Sequence, residues 1–315
     1  MRLPADRLAL SEPSHVDLVG VGLNAIDTLI AVPRYPTRGS KVDSPSIKML
    51  AGGQVATAVV ACQQWGLRTR YVGRLGNDAG GALHQKEFAQ AGVESRSIVV
   101  PGVVSHQSYI LVDSDGERTV VCRHDPELTI QPDELEREWI ANARALLVDG
   151  YDTKAAIAAA TWAREARIPV IADFDEAYPG IEELMNVVDH LIVSRDFPQR
   201  ICGERELKDS LPQLQRRFRC KFAAATLGTD GVLGWDGERF YRAQAYCVPV
   251  ADTTGAGDIF HAGFIYGLLN GWQLQRRLDF ACAAAALNCT SAGARGGIAS
   301  VSEIEKLMSS GQRYE

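Results

Sequence analysis

Residues 252–258 read Asp-Thr-Thr-Gly-Ala-Gly-Asp. Two carboxylates bracket a run with almost no side chain. After it, apolar residues at Ile259, Phe260, Ala262, Gly263, Ile265, Tyr266 and Leu269 recur at helical spacing. Before it, residues 246–250 read as a strand. The run therefore stands at a strand-to-helix junction. A helix start offers unpaired N–H groups and the positive end of the backbone dipole. Gly255, Ala256 and Gly257 let an anion reach those groups, which makes a hole for phosphate oxygens. Asp258 falls in the first turn beside the hole. A carboxylate there repels phosphate, but it can take the proton of a hydroxyl that attacks phosphorus. Base and anion hole within four residues point to phosphoryl transfer to an alcohol. Standing alone, Gly-Ala-Gly-Asp would serve equally well as a plain helix start.

Other candidates sit where strands end. Residues 16–22 form a buried-type strand closing on glycine, and ligands collect beyond such ends in α/β sheets. Asp27 follows there, placed to accept hydrogen bonds from sugar hydroxyls, although the same carboxylate would suit a turn. Gly52 and Gly53 precede a helical run over residues 55–65 and permit close backbone approach. Residues 223–231 read as a strand and a glycine-spaced loop, whose Thr226, Gly228 and Gly231 suit nucleotide phosphates and ribose. GxxxxGK[ST] is absent, and no GxGxxG opens a helix after the first strand, so this loop is the candidate nucleotide site.

These residues need a scaffold. Residues 131–272 alternate helix and strand, the pattern of a doubly wound, mostly parallel sheet with helices on both faces. A helix is expected over 132–143. Residues 26–50 and 97–123 instead read as short strands, with a turn at 113–116. They suggest a small separate sheet, a lid that excludes water from a transferring phosphoryl group. The expected organisation is a loose extension over 1–14 and one α/β domain over 15–310.

Composition narrows the classes. The chain has 315 residues, 46% hydrophobic and 23% charged, with a net charge of -6. An acidic balance argues against nucleic acid as a main partner. Seven cysteines without a CxxC pair indicate neither a disulfide framework nor a zinc knuckle. With no signal-like or membrane-spanning apolar run, the expectation is a cytoplasmic protein without membrane contact.

Residues 252–258, followed by an aromatic and small residues, closely resemble the signature of the PfkB (ribokinase-like) carbohydrate kinases. The resemblance extends over about residues 16–305. It takes in Gly22 to Asp27, Gly52-Gly53 with Trp65-Gly66, residues 73–78 and the loop from Thr226 to Gly231. It implies a ribokinase-like fold with a β-sheet lid, ATP and Mg2+ as cofactors, and a homodimer through the lid. It implies Asp258 as general base, Gly255, Ala256 and Gly257 as anion hole, and Asp27, Gly52, Gly53 and Gln54 at the sugar. Ser194, Thr226, Gly228, Gly231 and Asn288 would serve ATP. Asp252, Thr254, Ser291 and Gly293 would form a candidate K+ site.

Three positions depart from the family pattern: Thr57 and Gly297 replace Asn and Ser, and Ser194-Arg195-Asp196-Phe197 replaces Asn-x-x-Glu. Residues 53–58, 105–108, 258–261 and 288–290 resemble the sulfofructose-kinase branch. The arginine with which that branch holds a sulfonate is absent after residues 149–151; Lys41 and Arg123 are other cations that could meet an anionic sugar. The expected substrate is a ketose or its acidic derivative. The alternatives are a nucleoside or vitamin kinase of the same fold and a sugar-sensing protein without turnover.

Overall fold

The computed structural model describes residues 15–114 and 118–314. The expected extension over 1–14 lies outside them, as does part of the turn expected at 113–116. The chain opens with β1 (Val16–Val21), β2 (Ala25–Ala31) and β3 (Ser46–Gly52), then α1 (Gln54–Gln64), β4 (Thr69–Gly76), α2 (Ala79–Ala91) and β5 (Glu94–Val100). The pair β6 (Gln107–Val112) and β7 (Arg118–Arg123) follows. Next come α3 (Arg137–Ala141), β8 (Ala143–Asp149), α4 (Thr153–Glu165), β9 (Val170–Phe174), α5 (Ile181–Met185) and β10 (His190–Ser194). After α6 (Phe197–Cys202) and α7 (Leu207–Phe218) come β11 (Phe222–Thr226), β12 (Val232–Trp235) and β13 (Phe240–Ala243). The last helices are α8 (Ala256–Leu269), α9 (Leu274–Asn288) and α10 (Val301–Ser310).

Nine strands form one sheet in the order β13-β12-β11-β10-β9-β8-β1-β4-β5. From β11 to β5 every neighbouring pair is parallel, and β12 and β13 add an antiparallel edge. Alternate residues of one strand enter different cores. Leu18 packs on one face with α1, α8 and α9, while Val19 and Val21 pack on the other with α4 and α7. Burial on both faces is why these strands read as continuous apolar runs. The chain leaves β1 first toward β4 and later toward β8, so the order reverses at β1. Ligands in such sheets bind at that crevice.

The small sheet has the order β3-β2-β6-β7. Its expected limits need correction, because β5 belongs to the large sheet, paired parallel with β4 from Arg70↔Glu94 to Gly76↔Val100. The buried Arg70 grips Glu94 through two hydrogen bonds of 3.0 and 2.9 Å and anchors that edge. Of the short strands expected over 26–50, the second starts only at Ser46 and runs on to Gly52. Instead of one helix over 132–143, a 3-10 turn at Pro132–Glu134 is closed by reciprocal Gln131 and Glu134 capping, and Ala143 already lies in β8. The strand expected over 246–250 is a loop with one bridge, Tyr246 to Arg313. Pro249 has no N–H to offer a ladder, and Tyr246, Val248 and Val250 turn to a cavity instead. Among the described residues, no helix is long and apolar enough to cross a membrane.

Candidate active site

A cavity of about 720 Å3 lies between the large sheet and the small one. β2 brings Asp27 to it, opposite Leu50 of β3 and Ser108 of β6. Asp27 is only 4% exposed. Burial, and then the charge of Asp258, push its carboxyl up to about 7, against the Ser108 hydroxyl and Arg295. A methyl group on Gly52 would stand 1.9 Å from Asp27 Oδ2. Gly52 is thus the space in which the Asp27 carboxylate sits. Gly53 precedes α1, whose first residue, Gln54, lines the cavity with Asp173 and Asp175 at the end of β9, where burial raises both carboxyls and the Gln54 side chain opposes the rise.

The second wall is the 252–258 loop. Asp252 holds it from behind: Oδ1 accepts from the Thr254 N–H at 2.9 Å and hydroxyl at 2.7 Å, and Oδ2 accepts from the Gly293 N–H at 2.8 Å. Asn288 Nδ2 donates to the carbonyls of Thr254 and Ala294. Gly255 has φ 77, and a Cβ there would lie 2.5 Å from Ala294 Cα. Only glycine fits that turn. α8 begins at Ala256, and a Cβ on Gly257 would meet nothing within 4 Å, so the helix start opens on the cavity. Asp258 stands half-buried in the first turn. Burial pushes its carboxyl up to about 6; Arg118 and Arg295 pull down and Asp175 pulls up.

At the ends of β10 and β11, Ser194 and Thr226 face each other across the ladder and both line the cavity. A 3-10 turn over Gly228–Asp230 follows Thr226. Arg195 braces it, donating to the Leu227 carbonyl and, at 2.6 Å, to Asp230 Oδ2. The segment that departs from Asn-x-x-Glu thus supports the Thr226–Gly231 loop from outside.

Asp27, Gly53, Gln54, Ser194, Thr226, Gly228, Gly231, Thr254, Gly255, Ala256, Gly257 and Asp258 therefore share one cavity. Gly52, Asp252, Asn288, Ser291 and Gly293 do not line it. Lys41 is exposed between β2 and β3 and stands apart as well. The cation near Asp258 is instead Arg118 of β7, whose Nη1 lies 3.3 Å from Thr253 Oγ1. Arg295 is a second: it pairs with Glu87 at 2.7 Å, donates to the Gly52 carbonyl at 3.0 Å and reaches Thr57 Oγ1 at 3.3 Å.

Sequence reasoning also passed over Asp173 and Asp175. Asp173 Oδ2 is buried without a hydrogen-bond donor, 3.2 Å from His261 Nδ1. Burial lowers His261 to about 4, so the ring is neutral and adds no charge. An Asp-Phe-Asp at a strand's C-terminal end was a usable signal. Nothing local marked Arg118 or Arg295, which act through distant elements.

Comparison with known proteins identifies the family and the fold. The pfkB family carbohydrate kinase profile matches residues 17–300. A 5-dehydro-2-deoxygluconokinase of Geobacillus kaustophilus is 21% identical, with 96% of each chain covered. A ribokinase of Lactococcus lactis is 25% identical over 90% of this chain and 94% of its own. The solved ribokinase of Arabidopsis thaliana, complexed with ribose and ATP, superposes with a TM-score of 0.78 at 25% identity, covering 93% of this chain and 98% of that one. The chain belongs to the pfkB family of carbohydrate kinases, phosphotransferases with an alcohol group as acceptor.

Proposed function

We propose that this protein moves the γ-phosphoryl group of ATP onto a hydroxyl of a sugar held between Asp27 and Asp258. The observation that carries the reading is the position of Asp258: half-buried, one residue beyond the bare amides of the α8 start, in the same cavity as Asp27. With its carboxyl at about 6, Asp258 is ionised at neutral pH yet basic enough to take a hydroxyl proton as the oxygen attacks. The amides of Gly255, Ala256 and Gly257 face the charge that spreads over the phosphoryl oxygens. Thr226, Gly228 and Gly231 hold the nucleotide, and the small sheet excludes water. His124 and Tyr178 also line the cavity, and aromatic rings suit the C–H face of a sugar.

Among the described residues, no three carboxylate, imidazole or thiolate groups are spaced to cage a metal ion. Magnesium would thus take most of its ligands from phosphates and water, with Asp173 and Asp175 as the nearby carboxylates. Bound there, it neutralises phosphate charge. A potassium ion at the Asp252 turn would draw on the remaining lone pairs of Asp252 and on carbonyls near Thr254, Ser291 and Gly293. Exposed Ile47, Met49 and Val121 on the small sheet support a homodimer through the lid.

Charge guides the substrate. Asp27, Asp173, Asp175 and Asp258 line the cavity, and Arg118 is the one lysine or arginine among the described lining residues. This balance favours a neutral ketose or pentose over a sulfonated or carboxylated sugar. Purified protein with Mg-ATP, offered neutral sugars, sugar acids, sulfo-sugars and nucleosides, tests the reading through ADP release. Sugar-dependent turnover is expected. Tight sugar binding without turnover would instead support the sensing alternative. Activity is expected to fall with unit slope as pH drops through about 6, because protonation of Asp258 removes the base.

Gly52→Ala tests the sugar end. Its methyl group would displace the Asp27 carboxylate, lowering kcat/KM for the sugar by about 10²-fold, with ATP affinity kept. Unchanged sugar kinetics in this variant would remove Asp27 from the substrate site.

A further inference from the structure

The segment after α10 lies past the family match, which ends at residue 300. It is nevertheless fastened to the site. The Cys247 N–H donates to the Gln312 carbonyl at 2.8 Å, and the Tyr314 N–H donates to the Ala245 carbonyl at 3.0 Å. Arg313 binds Tyr246 Oη at 2.6 Å and Asp279 Oδ1 at 2.9 Å, with its guanidinium 4.3 Å above the Tyr246 ring. These contacts bring the half-buried Tyr314 onto the wall of the same cavity that Asp258 and Thr226 line. Ala245 and Tyr246, to which these contacts fasten it, line the cavity too, as does Val248 beyond them, and none of the three is charged. The nucleotide loop adjoins it, since a Cβ on Gly231 would stand 2.8 Å from Gln244 Cα.

A triphosphate seated on the Thr226–Gly231 loop must place its base somewhere. An apolar wall with an aromatic ring at its rim suits a flat heterocycle, and the carboxylate-lined remainder of the cavity does not. We infer that Tyr314 is a contact for the nucleotide base, so that base binding depends on the segment after α10 and not on the family-matched residues alone. The inference rests on ATP occupying this cavity, as proposed above.

The test compares the full chain with Tyr314→Ala and Tyr314→Phe. Binding of ADP and of inorganic tripolyphosphate is measured by calorimetry, alongside KM for ATP and for the sugar. Tyr314→Ala is expected to weaken ADP about tenfold and raise KM for ATP to match, while tripolyphosphate, which has no base, binds as before. Tyr314→Phe keeps the ring and is expected to restore ADP affinity to within about twofold. Equal loss of ADP and tripolyphosphate affinity would mean a disturbed loop and would overturn the inference. Unchanged ADP affinity in Tyr314→Ala would overturn it too, while leaving the kinase reading intact. A wild-type protein that binds neither ADP nor ATP would remove both.

Discussion

Asp258→Asn is expected to lower kcat by roughly 10²–10⁴-fold while ATP binding stays nearly intact. The substitution keeps shape and volume and removes the proton acceptor. Loop geometry does not depend on Asp258, because Asp252 and Asn288 hold the turn through Thr254, Gly293 and Ala294. The helix start and its amides therefore stay in place, and the loss falls on the chemical step. The acid limb of the pH profile, centred near 6, should vanish with the carboxyl. Calorimetric titration with ATP and steady-state kinetics on one preparation separate these effects. Turnover close to wild type would rule out Asp258 as the base.

Arg118→Ala is expected to lower kcat by about 10²–10³-fold. Its guanidinium is exposed on β7 and bonds Thr253 of the 252–258 loop. A sugar and a triphosphate entering this cavity would meet four acidic side chains, and Arg118 is the lining cation, among the described residues, that can offset their charge. Because Arg118 holds the Asp258 carboxyl down, its removal should also move the acid limb to higher pH. That shift distinguishes a charge role from loss of packing, which would leave the limb in place. Arg118→Lys keeps the charge without the planar fork and should recover part of kcat but keep the limb near 6. If Arg118→Ala changes neither kcat nor the pH profile, the small sheet supplies no charge to the reaction.

The loop from Asp252 to Asp258 was legible because its chemistry is local. A few bare residues at a helix start make an anion hole in any fold that contains the helix. Strands β1, β10 and β11 were legible for a related reason: burial on both faces demands unbroken apolar runs. Local pattern misled where partners decide structure. Residues 97–100 read like the small-sheet strands that follow them, but the β4 edge and the Arg70–Glu94 pair took them, with residues 94–96, into the large sheet. Residues 246–250 have strand composition, yet no neighbouring strand completes a ladder there.

Sequence alone therefore determined the family and the doubly wound sheet and marked the glycine-rich loop at the start of α8, since each rests on residues adjacent in the chain. The charge around that loop was decided only by tertiary structure. Arg118 comes from the small sheet, Arg295 from the segment after α9, and Asp173 with Asp175 from the end of β9. Their effect on Asp27 and Asp258 depends on distance and burial, and folding sets both between residues far apart in sequence.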